Sequence, residues 1–476
     1  MTTADTTPIL GVLRGTMTGE VVARNDAFYD DRRQLYNGMI DKRPLVIVRC
    51  ADVDDVAAAV RHAVRHRVRV AVRGAGHNGA GLGSVDDGLV IDLGEMRDVE
   101  VDAAARIVHV QGGATMRDVD AATAEHGLAV PMGFVSSTGV GGLTLAGGTG
   151  YLTRAYGLTI DNLVEAQVVL ADGAVVTASE TSHPDLFWAL RGGGGNFGVV
   201  TRFTFRAHPV DQVFGGPVFW DIDDAAQMLR AYRDHLPGVD ERLSVFAGLK
   251  TVPMFDPFPA EHQGKTVAAL IACYNGPEAE GRAEMEPMMA ELPPPLFDWR
   301  MTQPFAQLQQ LFDGLMPSGM QWSWHGDFVT QLPDEAIDRH VHHGRLLGPG
   351  AQSVMHFYPI DGAVHRVAPE ATAWRRRDAR WSLVIAGISS DPRDAGAIDR
   401  WARDYHDDVH RFSSEGGYLN FMMADQLTES AGRVRATFGD NYERLTRVKA
   451  AYDPDNVFRV NANIPPADDG DATGAG

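Results

Sequence analysis

Two hydrophobic periods alternate along the first hundred residues. Residues 44–48 form a short apolar run that reads as a strand. After Asp52, the apolar positions Val53, Val56, Ala57, Val60, Ala63 and Val64 recur at helical spacing, which predicts a helix with Asp52 as its cap. Residues 67–73 then alternate arginine with valine and alanine, the two-residue period of a strand. They run directly into Gly74-Ala75-Gly76-His77-Asn78-Gly79, and another strand is predicted over 89–92. The unit is strand–helix–strand, ending in a glycine loop.

Further strands are predicted over 104–110 and 163–177, the latter broken by the hairpin signal Asp172-Gly173. Glycine is dense from Gly133 to Gly157 and again from Gly192 to Gly198, behind a short helix-like apolar segment at 186–190. From about 210 to 414 the glycine clusters vanish. Strands predicted at 266–273, 353–358 and 381–388 alternate there with helical stretches, the mixed pattern of an α+β domain. After Gly416 segments containing Asn, Tyr and Gly return, and the Pro/Asp/Gly-rich tail from Pro465 is expected to be disordered.

At 476 residues the default is two domains. The balance of 43 Lys+Arg against 63 Asp+Glu, a net charge of −20, argues against a nucleic-acid partner or an anionic membrane surface. It places no constraint on a substrate that enters a buried pocket. Cys50 and Cys273 lie in apolar, strand-like runs and read as small buried hydrophobes rather than a disulfide framework or a metal site. The first twenty residues hold no continuous apolar segment and no run of about 18 apolar residues occurs, so a cytoplasmic, soluble protein is expected.

Glycine lets backbone N–H groups surround a pyrophosphate closely, because no Cβ stands in the way. The loop carrying Gly74, Gly76 and Gly79 could do this or could be an ordinary turn. It differs from the dinucleotide-binding G-x-G-x-x-G in leading to a strand and not a helix. His77 inside it is open to two readings, a loop histidine bonded to nearby backbone or a functional imidazole.

The ordered set of motifs decides between them. Arg73-Gly74-Ala75-Gly76-His77 is followed by Gly139-Val140-Gly141-Gly142, Gly147-Gly148-Thr149-Gly150-Tyr151-Leu152 and Asp161-Asn162. Then come His183-Pro184-Asp185-Leu186-Phe187-Trp188, Tyr418-Leu419-Asn420, Lys449, Tyr452-Asp453-Pro454 and Asn461-Ala462-Asn463. This series resembles the PCMH-type, vanillyl-alcohol-oxidase-like FAD oxidoreductases, and within them the berberine-bridge-enzyme-like group, over about 40–210 and 415–465. The resemblance implies a discontinuous FAD-binding domain of residues 1–208 and 415–476, with a substrate domain of antiparallel sheet plus helices at 209–414. It implies FAD bonded covalently to His77, and a cofactor-binding set of Arg73, Gly74, Ala75, Gly76, His77, Asn78, Gly79, Gly133, Ser137, Thr138, Gly141, Gly142, Leu143, Gly148, Tyr151, Asn162, Gly198, Val200, Asn420, Asn461 and Asn463. Many members add a cysteine bond to the flavin. Val135 stands at that place here and has no thiolate to add, so a single attachment is implied.

Tyr418 matches the family's Tyr-x-Asn tyrosine and is the candidate base, against the alternative of a packed core tyrosine. A phenol needs a donor or positive charge nearby to serve, and His325 or His356 could supply it. Trp322, Trp324, His325 and His356 are expected to line the substrate pocket, though core packing would also explain them. In relatives a carboxylate or amide base comes from a strand aligning near 382–386, which here is apolar. His340, His342 and His343 lack a fourth ligand, so no metal is expected. The implied activity is oxidation of an alcohol, phenol or related small organic molecule with O2 as acceptor. The alternatives are an oxygenase, a dehydrogenase with another acceptor, or a non-catalytic flavin binder.

Overall fold

The computed structural model describes residues 7–347, 352–428 and 431–468. The amphipathic helix forms as Val53–His66. The Asp52 carboxylate accepts from the Asp55 amide at 2.9 Å, and left-handed Arg67 (φ 54°) ends the helix. That reversal occupies the first residues of the alternating run, so the strand begins only at Val70. Val56, Val60 and Ala63 pack on Val46, Val48, Val70, Leu89 and Ile91. The sheet beneath is ordered Glu20–Ala23, Val46–Arg49, Leu89–Asp92, Val70–Arg73, with the first pair antiparallel and the rest parallel.

A second sheet is antiparallel throughout, ordered Val99–Asp102, Ile107–Gln111, Val199–Arg206, Leu163–Val169, Val175–Ser179. Its second strand starts later than the apolar pattern suggests because Arg106 turns the chain at φ 54°. Gly173 (φ +79°) makes the expected hairpin reversal.

The middle of the chain builds an antiparallel sheet, ordered Phe297–Asp298, Gln212–Asp221, Thr266–Tyr274, Leu243–Thr251, Val354–Pro359, Trp381–Ser389, Gln321–Val329, with Met301–Pro304 also paired to the second of these. Both faces are covered, so its strands read as continuous apolar runs and not as alternation. One face carries Leu243, Val245, Leu383 and Ile385 against the helices Ala225–His235, Asp334–Arg345 and Ala395–Val409. The other carries Phe246, Trp322, Trp324, Val354, Tyr358, Val384 and Ala386. Cys50 and Cys273 are buried and unbridged.

The last segment returns to the glycine-rich part. The Lys449 ammonium, wholly buried, donates to Asp453 at 2.6 Å, to Asn196 O at 2.7 Å and to Phe458 O at 2.9 Å. Where disorder is expected, Ala467 N donates to Thr446 O at 3.0 Å, so the chain is held at least to there; the rest of the expected tail, residues 469–476, lies outside the described residues. Among the described residues no helix is long and apolar enough to cross a membrane.

Candidate active site

The loop after strand Val70–Arg73, the glycine-dense segments and the inner face of the large sheet enclose a cavity of about 320 Å³. Its lining includes Arg73, Gly74, Ala75, Gly76, His77 and Asn78, together with Gly133, Thr138, Gly141, Gly142, Leu143, Gly198, Val200 and Asn461. Arg73 is held by Asp92 at 2.7 Å through one nitrogen, while its Nη1 is buried without a partner. His77 Nε2 and Asn461 Oδ1 are likewise buried and unpartnered. Burial pushes the His77 pKa down to about 4, so the imidazole is neutral at physiological pH. Tyr36, which carries no motif, stacks on His77.

Tyr418 and Asn420 line the same cavity. Two donors converge on the Tyr418 hydroxyl oxygen, the Gly148 amide at 3.0 Å and Asn420 Nδ2 at 2.9 Å. Burial raises the pKa of this phenol, and the two donors act against that rise. The expected helpers His325 and His356 do not fill this role. His356 lines the cavity but bonds through Nδ1 to the Tyr358 hydroxyl at 2.7 Å. His325 is displaced altogether: strand alternation sends Trp322 and Trp324 into the cavity and His325 to the opposite face, beside His406. Val384 and Ala386 line the cavity from the strand where relatives are expected to carry the base, so hydrocarbon stands there.

Several expected cofactor residues lie off the cavity lining. A Cβ on Gly79 would stand 2.4 Å from the Trp324 indole, so its glycine admits that ring. Gly148 (φ +80°) lies hard against Thr159 and donates to Tyr418 instead. Asn162 gives Nδ2 to Tyr156 O and Leu158 O, and its Oδ1 meets His208 Nε2 at 2.6 Å, which makes it a brace of its own turn. Tyr151 packs edge-on to Phe134, and neither Ser137 nor Asn463 reaches the lining. The sequence offered no signal for Tyr36, Phe134, Met316 or Val354, which do line it, because their role depends on distant segments meeting. His340 Nδ1 bonds the Tyr405 hydroxyl at 2.9 Å and His343 Nε2 bonds Asp408 at 2.8 Å.

The cradle fits an FAD. At Gly142 and Gly195, both in the lining, an added Cβ would meet nothing within 4 Å and would project into open space. The buried, unpartnered nitrogen and oxygen atoms of Arg73, His77 and Asn461 are groups that a polar, anionic dinucleotide would satisfy.

Comparison with known proteins agrees with this architecture. Residues 44–179 match the FAD binding domain family and residues 417–465 match the berberine and berberine-like family. The FAD-linked oxidoreductase YgaK of Bacillus subtilis is 32% identical over 460 residues, spanning 94% of this chain and 97% of its own. The (R)-6-hydroxynicotine oxidase of Paenarthrobacter nicotinovorans is 29% identical, covering 95% and 97%. The crystal structure of 6-hydroxy-D-nicotine oxidase from Arthrobacter nicotinovorans superposes with a TM-score of 0.83 at 24% identity, over 95% of this chain and 99% of that one. Fold and cradle therefore define a PCMH-type flavoprotein of α+β class. The chain belongs to the berberine-bridge-enzyme-like FAD-linked oxidoreductases and is an FAD-dependent oxidoreductase.

Proposed function

We propose that the protein is an oxidase of a small, largely apolar organic alcohol or phenol, with its FAD held covalently through His77 and O2 as electron acceptor. The observation that carries this reading is that the His77 loop, Tyr418 and an aromatic wall line one and the same cavity. Bound there, FAD supplies a hydride acceptor. A neutral, buried His77 imidazole is the nucleophilic form needed for a tether, and Val135 offers no second attachment. In this reading the flavin domain comprises 1–208 and 415–476, and the substrate wall comes from 209–414.

Trp322, Trp324, Phe134, Tyr358, Val384 and Ala386 make the wall apolar, which supports a flat hydrophobic substrate with one reactive hydroxyl. Tyr418 binds that hydroxyl and, as phenolate, takes its proton. The Gly148 amide and Asn420 stabilise the phenolate against the cost of burial. The relative named for 6-hydroxynicotine oxidation supports oxidase chemistry in this group without naming the substrate.

The experiment is an anaerobic screen of aromatic and aliphatic alcohols and phenols. The expected result is bleaching of the flavin by at least one compound, followed by one equivalent of H2O2 when air is admitted. Bleaching with no peroxide, or with labelled oxygen appearing in the product, would overturn the oxidase reading.

A further inference from the structure

On the helix-covered side of strand Gln321–Val329, away from the cavity, Asp327, His406 and His410 bring three ligand atoms within 4.8 Å of one another. His406 and His410 are four residues apart where helix Ala395–Val409 runs on into the turn His410–Phe412, so their rings share a face, stacked with centroids 5.0 Å apart. Asp327 is wholly buried, and its Oδ2 lies 3.2 Å from His406 Nε2 and 2.8 Å from His410 Nδ1. Its Oδ1 is taken by Arg433 at 2.6 Å, which also donates to Gly326 O.

A second observation points to a ligand. His406 is only 5% exposed, and its Nε2 stands 3.2 Å from Asp327 Oδ2 without an aligned hydrogen bond. Its other nitrogen, Nδ1, lies 3.5 Å from Asp407 Oδ1. A proton on Nδ1, facing Asp407, leaves the Nε2 lone pair aimed at the cluster. A carboxylate behind a histidine holds that same tautomer in metal sites.

We propose that Asp327, His406 and His410 form a binding site for a divalent cation of the zinc type, separate from the flavin cavity. Two imidazole nitrogens and one carboxylate oxygen suit Zn²⁺, and three protein ligands leave a fourth position for water. Half-exposed His410 lies on the side open to solvent. Binding releases to solvent the proton that His410 shares with Asp327, and the ion takes its place. Arg433 opposes a cation, but it occupies the far carboxylate oxygen, and Asp407 adds negative charge behind His406. The bound ion joins the strand bearing Trp322 and Trp324 to helix Ala395–Val409, and so braces the substrate wall.

The test is equilibrium dialysis of EDTA-stripped holoenzyme against Zn²⁺, with zinc per chain and Tm measured. One zinc per chain and a raised Tm are expected. His410→Ala and His406→Gln should each abolish saturable binding at that site, and Asp407→Asn should weaken it about 10-fold. His410 is at the surface, so His410→Ala should fold, and an unchanged flavin spectrum checks this. His62→Ala, in the other i,i+4 histidine pair, should bind zinc as the wild type does. The proposal fails if wild-type protein binds no zinc at ~100 μM, a concentration that weak Ca²⁺-type sites already reach. It also fails if His410→Ala retains the wild-type stoichiometry and affinity.

Discussion

The imidazole of His77 stacks on the phenol of Tyr36, with ring centroids 3.7 Å apart and planes 18° from parallel. Tyr36 is itself anchored, its hydroxyl donating to Met316 O at 2.9 Å. The stack orients the ring that is proposed to carry the flavin. Tyr36→Leu removes the flat platform, and the flavin retained after acid precipitation should drop to a minor fraction. Tyr36→Phe should retain most of it. Equal retention in both variants would show that the stack does not orient His77.

Burial sets the pH behaviour of that attachment. With its pKa lowered to about 4, His77 is neutral throughout pH 5–8, whereas an unperturbed histidine would be mostly protonated below pH 6.5. Covalent incorporation of FAD into apoprotein should therefore proceed at pH 5.5 nearly as fast as at pH 7.5. A rate falling tenfold over that range would place the His77 pKa near its ordinary value.

The same sign governs stability. His77, His340 and His356 are neutral in the fold, with pKa values lowered by burial to about 4, 3 and 3. In the unfolded chain they take up protons near 6.5, so between those values the unfolded state binds more protons. The stability they confer is full above about pH 6.5 and is lost progressively as pH falls toward 4. Urea midpoints of the flavin-free protein, measured from pH 7.5 to 4.5, should decline across that window. In the His340→Phe variant the decline should be shallower.

Gly142 separates the cradle from the scaffold. Its Cβ would meet no protein atom, and it lies within the helix Val140–Leu145, where alanine is favoured over glycine by about 0.5–1 kcal/mol. Gly142→Ala apoprotein should be as stable as wild type or slightly more so, while flavin content on purification falls. Loss of apoprotein stability with flavin binding intact would place Gly142 outside the cofactor's contact.

Tyr418→Phe removes the oxygen on which two donors converge. Flavin reduction should slow by about 10²–10⁴-fold. Because the phenolate is the reactive form, the wild-type rate should climb with pH while the residual rate of the variant stays flat. The Gly148 amide and Asn420 lose a buried acceptor, costing about 1–3 kcal/mol of stability. Stopped-flow reduction and thermal melts read the two effects separately, and wild-type reduction rates would remove Tyr418 from the mechanism.

Sequence alone determined the local elements, which reside in short-range patterns, and the flavin reading, which rests on short motifs recurring in a family's order along the chain. The helix after Asp52 follows from apolar spacing and a cap, and the glycine loop with His77 follows from contiguous residues. What neighbours each residue across space was left to the tertiary structure. Strand alternation sent Trp324 into the cavity and His325 out of it, a parity that a strand buried on both faces does not disclose. Asn162 looked like a cofactor ligand but spends its amide on a local turn, while Tyr36 reaches His77 only because two chain segments fold together. The donors that serve Tyr418 are a backbone amide 270 residues away and a neighbouring asparagine, and only the folded chain brings that amide within 3.0 Å of the phenol.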